Sequence, residues 1–208
     1  MPTSTKAIIF DFGGVLLEWD PHALYRRYFN QTHEIDRFLD EINFSAWNAQ
    51  QDKGRPFAQA IAELSAQFPQ HAHLISAYFE HYEDSVIGPL PGMPELLHRL
   101  KRAGYPLYGL SNWSAETFLM IRMKYSFFEL FDDIILSGEV KLLKPDPAIF
   151  RLTLNRIKHK PDECLLIDDS PANIASAQDL GIATVHFRSS QQLEQELRLL
   201  NLLQEVPS

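Results

Sequence analysis

The 208 residues hold a single cysteine, Cys164, which rules out an internal disulfide and any cysteine-based zinc site. It lies in the apolar run "CLLID" and is expected to be buried and inert. No stretch approaches the roughly 18 consecutive apolar residues that a membrane span requires, so no membrane role is expected. Basic charge is scarce too: 19 lysines and arginines face 27 acids, for a net charge of −8. That balance argues against a nucleic-acid partner, which needs a basic face. The opening "MPTSTK" runs directly into the first apolar run, with no charged and apolar leader, and a cytoplasmic protein is expected. Repeats, low-complexity tracts and charge blocks are missing as well. What remains is an ordinary globular composition, 45% hydrophobic and 22% charged, long enough for one domain carrying a smaller insertion.

The chain divides by pattern. Five short apolar runs, at 7–11, 107–111, 133–136, 164–168 and 183–187, read as strands. Their hydrophobicity is continuous rather than alternating, as suits parallel strands covered on both faces. Helical patterns separate the later runs. "PGMPELLHRLKRAG" has Pro94 near its start, Leu96, Leu97 and Leu100 on one face, and Gly104 as a stop. "PAIFRLTLNRIK", "PANIASAQDLG" and "QQLEQELRLLNLL" continue the alternation. Alternating strands and helices predict an α/β fold, a Rossmann-like doubly wound parallel sheet. Residues 20–87 break the pattern: they show helical spacings such as Phe57, Ile61, Leu64 and Phe68, but no convincing strand. They are expected to form a helical cap on a core made of residues 1–19 and 88–208, with hinges near Trp19–Pro21 and Ile87–Pro91. The cap's aromatics are expected to be its own core.

In open α/β sheets, ligands bind beyond the carboxyl ends of the strands. The residues there are Asp11, then Ser111 and Asn112, then Lys144, then Asp168 and Asp169. Singly, each has an ordinary explanation as a cap, a turn residue or a solvated charge. Together on one rim they suit phosphoryl transfer. Three carboxylates make an oxygen site for Mg²⁺, while an ammonium, a hydroxyl and backbone N–H groups hold a phosphate. One carboxylate can attack phosphorus to give an aspartyl-phosphate, which water hydrolyses. Gly13 and Gly14 let the backbone turn and approach the phosphate.

Four motifs, "FDFGGVL", "LSNWS", "LLKPDPAIF" and "LIDDSPANIASAQDLGI", occur in order along essentially the whole chain. In this the sequence resembles the haloacid dehalogenase superfamily, and within it the cap-bearing phosphatase-like hydrolases, including bacterial sugar-1-phosphate phosphatases. The resemblance implies a Mg²⁺-dependent phosphatase acting on a small phosphorylated substrate. Asp11 would be nucleophile and metal ligand, and Gly13 would give a carbonyl to the metal. Phe12, Gly13, Ser111 and Asn112 would line the substrate site, Lys144 would neutralise the phosphate and orient Asp11, and the Trp113 ring is expected either at the mouth of the site or packed against the cap hinge. Asp169 would bind the metal directly, Asp168 would bind it or support it, and Asn173 would steady the acidic loop.

The sequence departs from that family at one point. Phosphatases of the group usually carry a second Asp two residues after the nucleophile, as general acid and then base, and here that position is Gly13. Such help is commonly worth about 10²–10⁴ in rate. A sugar 1-phosphate, with its better leaving group, would tolerate the loss. A metal-independent 2-haloacid dehalogenase needs no such acid but typically lacks the acidic pair. A binding protein that kept the fold and lost the activity is the third reading. Glu18, Asp20 and His22, where the first-strand loop enters the cap, are candidate replacements for the missing donor. Arg55 is a candidate contact to substrate, while His71, His73 and His81 lack a metal-site spacing and are expected at the surface. A monomer is expected, since no long apolar stripe is left over.

Overall fold

A computed structural model describes residues 5–204. The expected sheet is present. Strands β1 (Ala7–Phe10), β4 (Leu107–Ser111), β5 (Asp133–Leu136), β6 (Cys164–Asp168) and β7 (Ala183–His186) lie in the order β5-β4-β1-β6-β7, every pair parallel. All four residues of β1 are buried, as are all five of β6, which is why their sequences show no alternation. The order reverses at β1. Its neighbours β4 and β6 therefore splay their following loops apart and leave a crevice beyond its carboxyl end.

Helices α6 (Met93–Arg102), α9 (Pro147–Ile157), α10 (Pro171–Asp179) and α11 (Ser190–Leu199) fall where the apolar spacings predict, joined by α7 (Ala115–Arg122) and a short α8 (Ser137–Val140). Their ends follow the local chemistry. Ser114 accepts the Glu116 N–H to cap α7, Asp146 accepts that of Ala148 ahead of α9, and Gly104 follows α6 with φ +89°. One glycine inside a strand has a packing reason. A Cβ on Gly109 would lie 2.2 Å from the Phe12 ring, which crosses β4 to meet Trp113, Phe118, Phe128 and Phe131.

Between β1 and α6 come five helices: α1 (Pro21–Tyr25), α2 (Thr32–Glu41), α3 (Phe44–Asp52), α4 (Phe57–Gln67) and α5 (Ala72–Glu80). Their aromatics pack on one another, with Phe44 edge-on to Tyr78 at 4.9 Å and Tyr25 edge-on to Phe38 at 5.0 Å. No helix of the described residues is long and apolar enough to cross a membrane.

The expectation of no strand within residues 20–87 needs correction at its end, beside the expected hinges. Strand β2 (Leu17–Trp19) pairs antiparallel with β3 (Val86–Pro89), with a bulge between Glu18 and Trp19. Three and four residues are too few to show a period, and Gly88 and Pro89 mask the second strand. The two chain crossings are thus joined as a ribbon. The α3–α4 turn is also tied to the sheet end of the molecule: Ser137 Oγ donates to the Asp52 carbonyl, and Phe57 N–H donates to Glu116 Oε1 at 3.0 Å. A Cβ on Gly54 would lie 2.6 Å from the Gly138 carbonyl, so that contact admits only glycine.

Candidate active site

Asp11 continues the β1 ladder for one bond, its N–H donating to the Ile167 carbonyl at 2.9 Å, and then the chain turns. Its carboxylate is held at both oxygens. Oδ1 accepts the Phe12 N–H at 2.7 Å, and Oδ2 lies 2.9 Å from Lys144 Nζ. Burial raises Asp11 to about 6, with Lys144 opposing and Asp168 adding to the rise. The Lys144 side chain is 1% exposed and also meets Asp168 Oδ2 at 2.7 Å. Burial works against that ammonium, but Asp11 and Asp168 outweigh it and raise its pKa.

Asp168 is fully enclosed. Besides Lys144 it accepts the Ser170 N–H at 2.9 Å and the Asn173 amide at 2.9 and 3.1 Å. Asp169 differs. It is exposed, no cation among the described residues pairs with its carboxylate, and that carboxylate lies where a Cβ on Gly14 would stand, 2.3 Å from Oδ2. Gly14, at φ +73°, is therefore required twice over. Burial raises the Asp169 pKa and the neighbouring Asp168 raises it further.

Oxygens of Asp11, Asp168 and Asp169 lie within 4.8 Å of one another. One ammonium cannot balance three carboxylates, and hard oxygen donors at this spacing fit a divalent cation. Asp169 and Asp11 are the members with oxygens turned to the cavity, whereas the hydrogen bonds of Asp168 make it the support of Lys144 and of the acidic loop.

The crevice is divided into two adjoining chambers. A polar one, of about 340 Å³, is lined by Asp11, Gly13, Gly14, Lys144, Asp169 and Asn173. Its neighbour, of about 100 Å³, is lined by Leu17, Asn48, Asp52, Tyr82, Val86 and Trp113. Gly13, Trp19, Ser111 and Asn112 line both. The structure therefore gathers Asp11, Gly13, Ser111, Asn112, Lys144, Asp169 and Asn173 around one cavity. The Trp113 ring sits over the second chamber while its Nε1 donates to Thr117 Oγ1, so it both packs and lines.

Other expected residues fall elsewhere or act differently. The Phe12 ring is wholly buried in core and touches neither chamber, so only its backbone serves the site. The Asn112 amide is committed to the Lys144 backbone, donating to its carbonyl at 2.9 Å and accepting its N–H at 2.8 Å. It positions Lys144, leaving the Ser111 hydroxyl, which has no partner among the described residues, to face the cavity.

Glu18, Asp20 and His22 line neither chamber. Asp20 caps α1, and His22 is clamped between Asp20 and Asp36 at 2.8 Å on each ring nitrogen. Arg55 is engaged by Gln51 and Glu63. His71 pairs with Glu41. The site residues that sequence reasoning missed are on α3: Asn48 and Asp52, one helical turn apart in "WNAQQD", with the Asn48 amide donating to Asp52 Oδ2 at 3.0 Å. The i, i+4 spacing was readable; the surface it faces was not.

Known proteins resemble this chain over most of its length. Residues 5–181 match the family of haloacid dehalogenase-like hydrolases. A sesquiterpene phosphatase from Aspergillus oryzae is 29% identical over 201 residues, 96% of this chain and 98% of that protein. A phosphorylated carbohydrates phosphatase from Thermotoga maritima is 22% identical over 184 residues, 87% of this chain and 84% of that one. Three longer relatives are spanned only over 18% to 36% of their length. The fold is shared with a HAD family enzyme from Bacteroides thetaiotaomicron, solved as a magnesium complex, at TM-score 0.73 and 24% identity over 94% of this chain and 100% of that one.

Proposed function

The chain belongs to the haloacid dehalogenase-like hydrolases, and from that premise we propose that it is a Mg²⁺-dependent phosphatase of a small phosphate monoester, working through a phosphoryl group carried on Asp11. The observation that carries this reading is the pairing of two carboxylates of opposite condition. Asp11 is buried and gripped by the Lys144 ammonium and the Phe12 N–H, while Asp169, across the same chamber, is ion-paired with no cation among the described residues.

In this mechanism the Asp11 carboxylate attacks phosphorus and the bond from phosphorus to the alcohol oxygen breaks. Lys144 keeps Asp11 ionised and oriented, and neutralises the phosphate that enters beside it. The Ser111 hydroxyl and the backbone around Gly13 and Gly14 hold the non-reacting oxygens. Mg²⁺, held by Asp11, Asp169 and the Gly13 carbonyl, would supply charge neutralisation of those oxygens. Water then attacks phosphorus, the bond to Asp11 breaks, and inorganic phosphate and the free carboxylate are regenerated. Residues 20–87 act as a cap over the core of residues 1–19 and 88–208, keeping bulk water from this chemistry.

The alcohol portion occupies the second chamber. Trp19, Trp113 and Tyr82 offer flat faces and Asn48 and Asp52 offer hydrogen bonds, a combination that suits a sugar phosphate. A second reading is supported by the apolar remainder of that wall, Leu17 and Val86, and by the likeness to a sesquiterpene phosphatase: a phosphate ester of a compact apolar alcohol.

The test is phosphate release from sugar 1- and 6-phosphates, a prenyl monophosphate and p-nitrophenyl phosphate, with Mg²⁺ or EDTA, beside Asp11→Asn. Release that requires both Mg²⁺ and Asp11 supports the proposal, and the preferred ester assigns the alcohol. Halide release from L-2-chloropropionate, indifferent to EDTA, would replace it with a dehalogenase.

A further inference from the structure

We propose that Asp52, on the cap helix α3, is the proton donor to the leaving alcohol, filling the role that Gly13 leaves vacant. The inference rests on the phosphatase reading above and extends it to a catalytic residue. Three observations lead to it.

The first is position. Phosphorus must sit in the polar chamber beside Asp11, and the alcohol extends into the second chamber, so the bond that breaks lies at their shared wall of Gly13, Trp19, Ser111 and Asn112. Asp52 carries the only carboxyl group lining the second chamber among the described residues. Gly13 lines the same chamber, and a Cβ there would meet nothing within 4 Å. The space an acid would take at position 13 is open, and the acid that faces it comes from the cap.

The second is anchoring. Asp52 ends α3 at a turn held to the core by three separate contacts. Its own carbonyl accepts from Ser137 Oγ, which in turn accepts the Trp113 N–H at 2.9 Å. Gly54 lies against the Gly138 carbonyl, and Phe57 N–H donates to Glu116. The turn is thereby fixed against the loop that follows Ser111 and Asn112, so the cap delivers this carboxyl to the phosphate end of the site. A cap that opened would withdraw it, coupling proton donation to closure.

The third is electrostatic setting. Oδ2 accepts from Asn48 and the carboxyl also accepts the Ser114 N–H. The groups facing it from the other packed elements are the neutral phenols of Tyr78 and Tyr82, and no cation is ion-paired with it among the described residues. Burial accordingly pushes Asp52 up to about 7, the Ser114 N–H opposing. A carboxyl in that range is about half protonated at neutral pH and can both give up and take back a proton.

The protons balance over the cycle. As Asp11 attacks and the phosphorus–oxygen bond breaks, the alcohol oxygen takes the Asp52 proton and Asp52 becomes a carboxylate. That carboxylate then removes a proton from the water that attacks phosphorus, and the acid form is restored as phosphate leaves.

Asp52→Asn keeps the size and an acceptor for Ser114 and removes the transferable proton. The value of kcat/KM reports the steps up to alcohol departure, so it separates leaving groups. The expected result is a fall of about 10²–10⁴ for a sugar or alkyl phosphate against less than about tenfold for p-nitrophenyl phosphate, whose anion leaves unaided. The variant should also show a burst of about one p-nitrophenolate per chain, because its water step has lost the base, and should lose the decline of kcat/KM for alkyl esters above about pH 7. An equal fall for both esters without a burst would reduce Asp52 to a structural tie, and no fall for either would remove it from the reaction. If the wild-type chain releases phosphate from no ester, the phosphatase reading itself is refuted. If the wild-type chain is active and the variant is indifferent to leaving group, only the present inference is.

Discussion

Replacing Lys144 with methionine removes the only cation between Asp11 and Asp168 among the described residues while keeping most of the apolar stem. The two carboxylates then face one another within 4.8 Å, both nearly or wholly buried. At that separation, with an effective dielectric of about 20, two unit charges repel by roughly 3.5 kcal/mol. A buried pair broken on one side typically costs about 3–5 kcal/mol. For a chain of this size that is a loss of roughly 6–20 °C in Tm. The pH dependence carries the argument. Burial already holds Asp11 at about 6 with Lys144 opposing the rise, and loss of the ammonium raises its folded-state pKa further above the unfolded value. The folded variant therefore binds protons more tightly than the unfolded chain. Relative to wild type its penalty is small below about pH 6 and grows as pH rises above that. Calorimetry of wild type and variant in EDTA at pH 5 and pH 8 should show a markedly larger Tm difference at pH 8. Added Mg²⁺ should recover part of the loss. A difference in Tm that is large but flat with pH would refute the electrostatic account and make Lys144 a packing residue.

Gly14→Ala places a Cβ 2.3 Å from Asp169 Oδ2 and should weaken Mg²⁺ affinity by about 10–100-fold in a calorimetric titration, whereas Gly13→Ala, in open space, should leave Tm unchanged. Mg²⁺ at about one hundred times its Kd should stabilise the wild-type fold by about 2.7 kcal/mol, and Asp169→Asn should abolish most of that shift in urea melts. Asp52 keeps its proton more tightly when folded, so its contribution turns against folding as pH rises from the usual carboxylate range to about 7. Asp52→Asn should therefore gain stability relative to wild type between pH 4 and pH 8, by at most about 4 kcal/mol, and a pH-independent difference in urea midpoints would contradict a partly buried acid of raised pKa.

The sheet was readable because its strands are buried on both faces, so the runs from Ala7 and Cys164 announce themselves without any partner. The rim was readable for a related reason: once strand ends are located, topology alone decides which side chains can meet. What escaped depends on contacts between distant segments. The β2–β3 ribbon joins residues about seventy apart through strands too short to carry a period. The Asn112 amide points to the backbone of Lys144, a pairing that spans 32 residues and converts an expected phosphate contact into a positioning one. Phe12 follows the nucleophile in sequence, yet its ring turns into the core because Gly109 leaves room for it. Asp52 is the last residue of α3, and its contacts with Ser137, Gly138 and Ser114 come from beyond the cap. Residues that act across the cap–core junction are set by docking, which no local pattern records.

The measurement that bears most directly on the account is the chemical fate of Asp11 during turnover. The chain would be mixed with a phosphate ester labelled in its phosphoryl group, quenched in acid within the first turnovers, digested and read by mass spectrometry. The account predicts a phosphoryl group on the peptide containing Asp11, labile to hydroxylamine, formed only with Mg²⁺ and absent in Asp11→Asn. Steady phosphate release with no label on Asp11 at any quench time, together with an Asp11→Asn variant that still turns over, would contradict it.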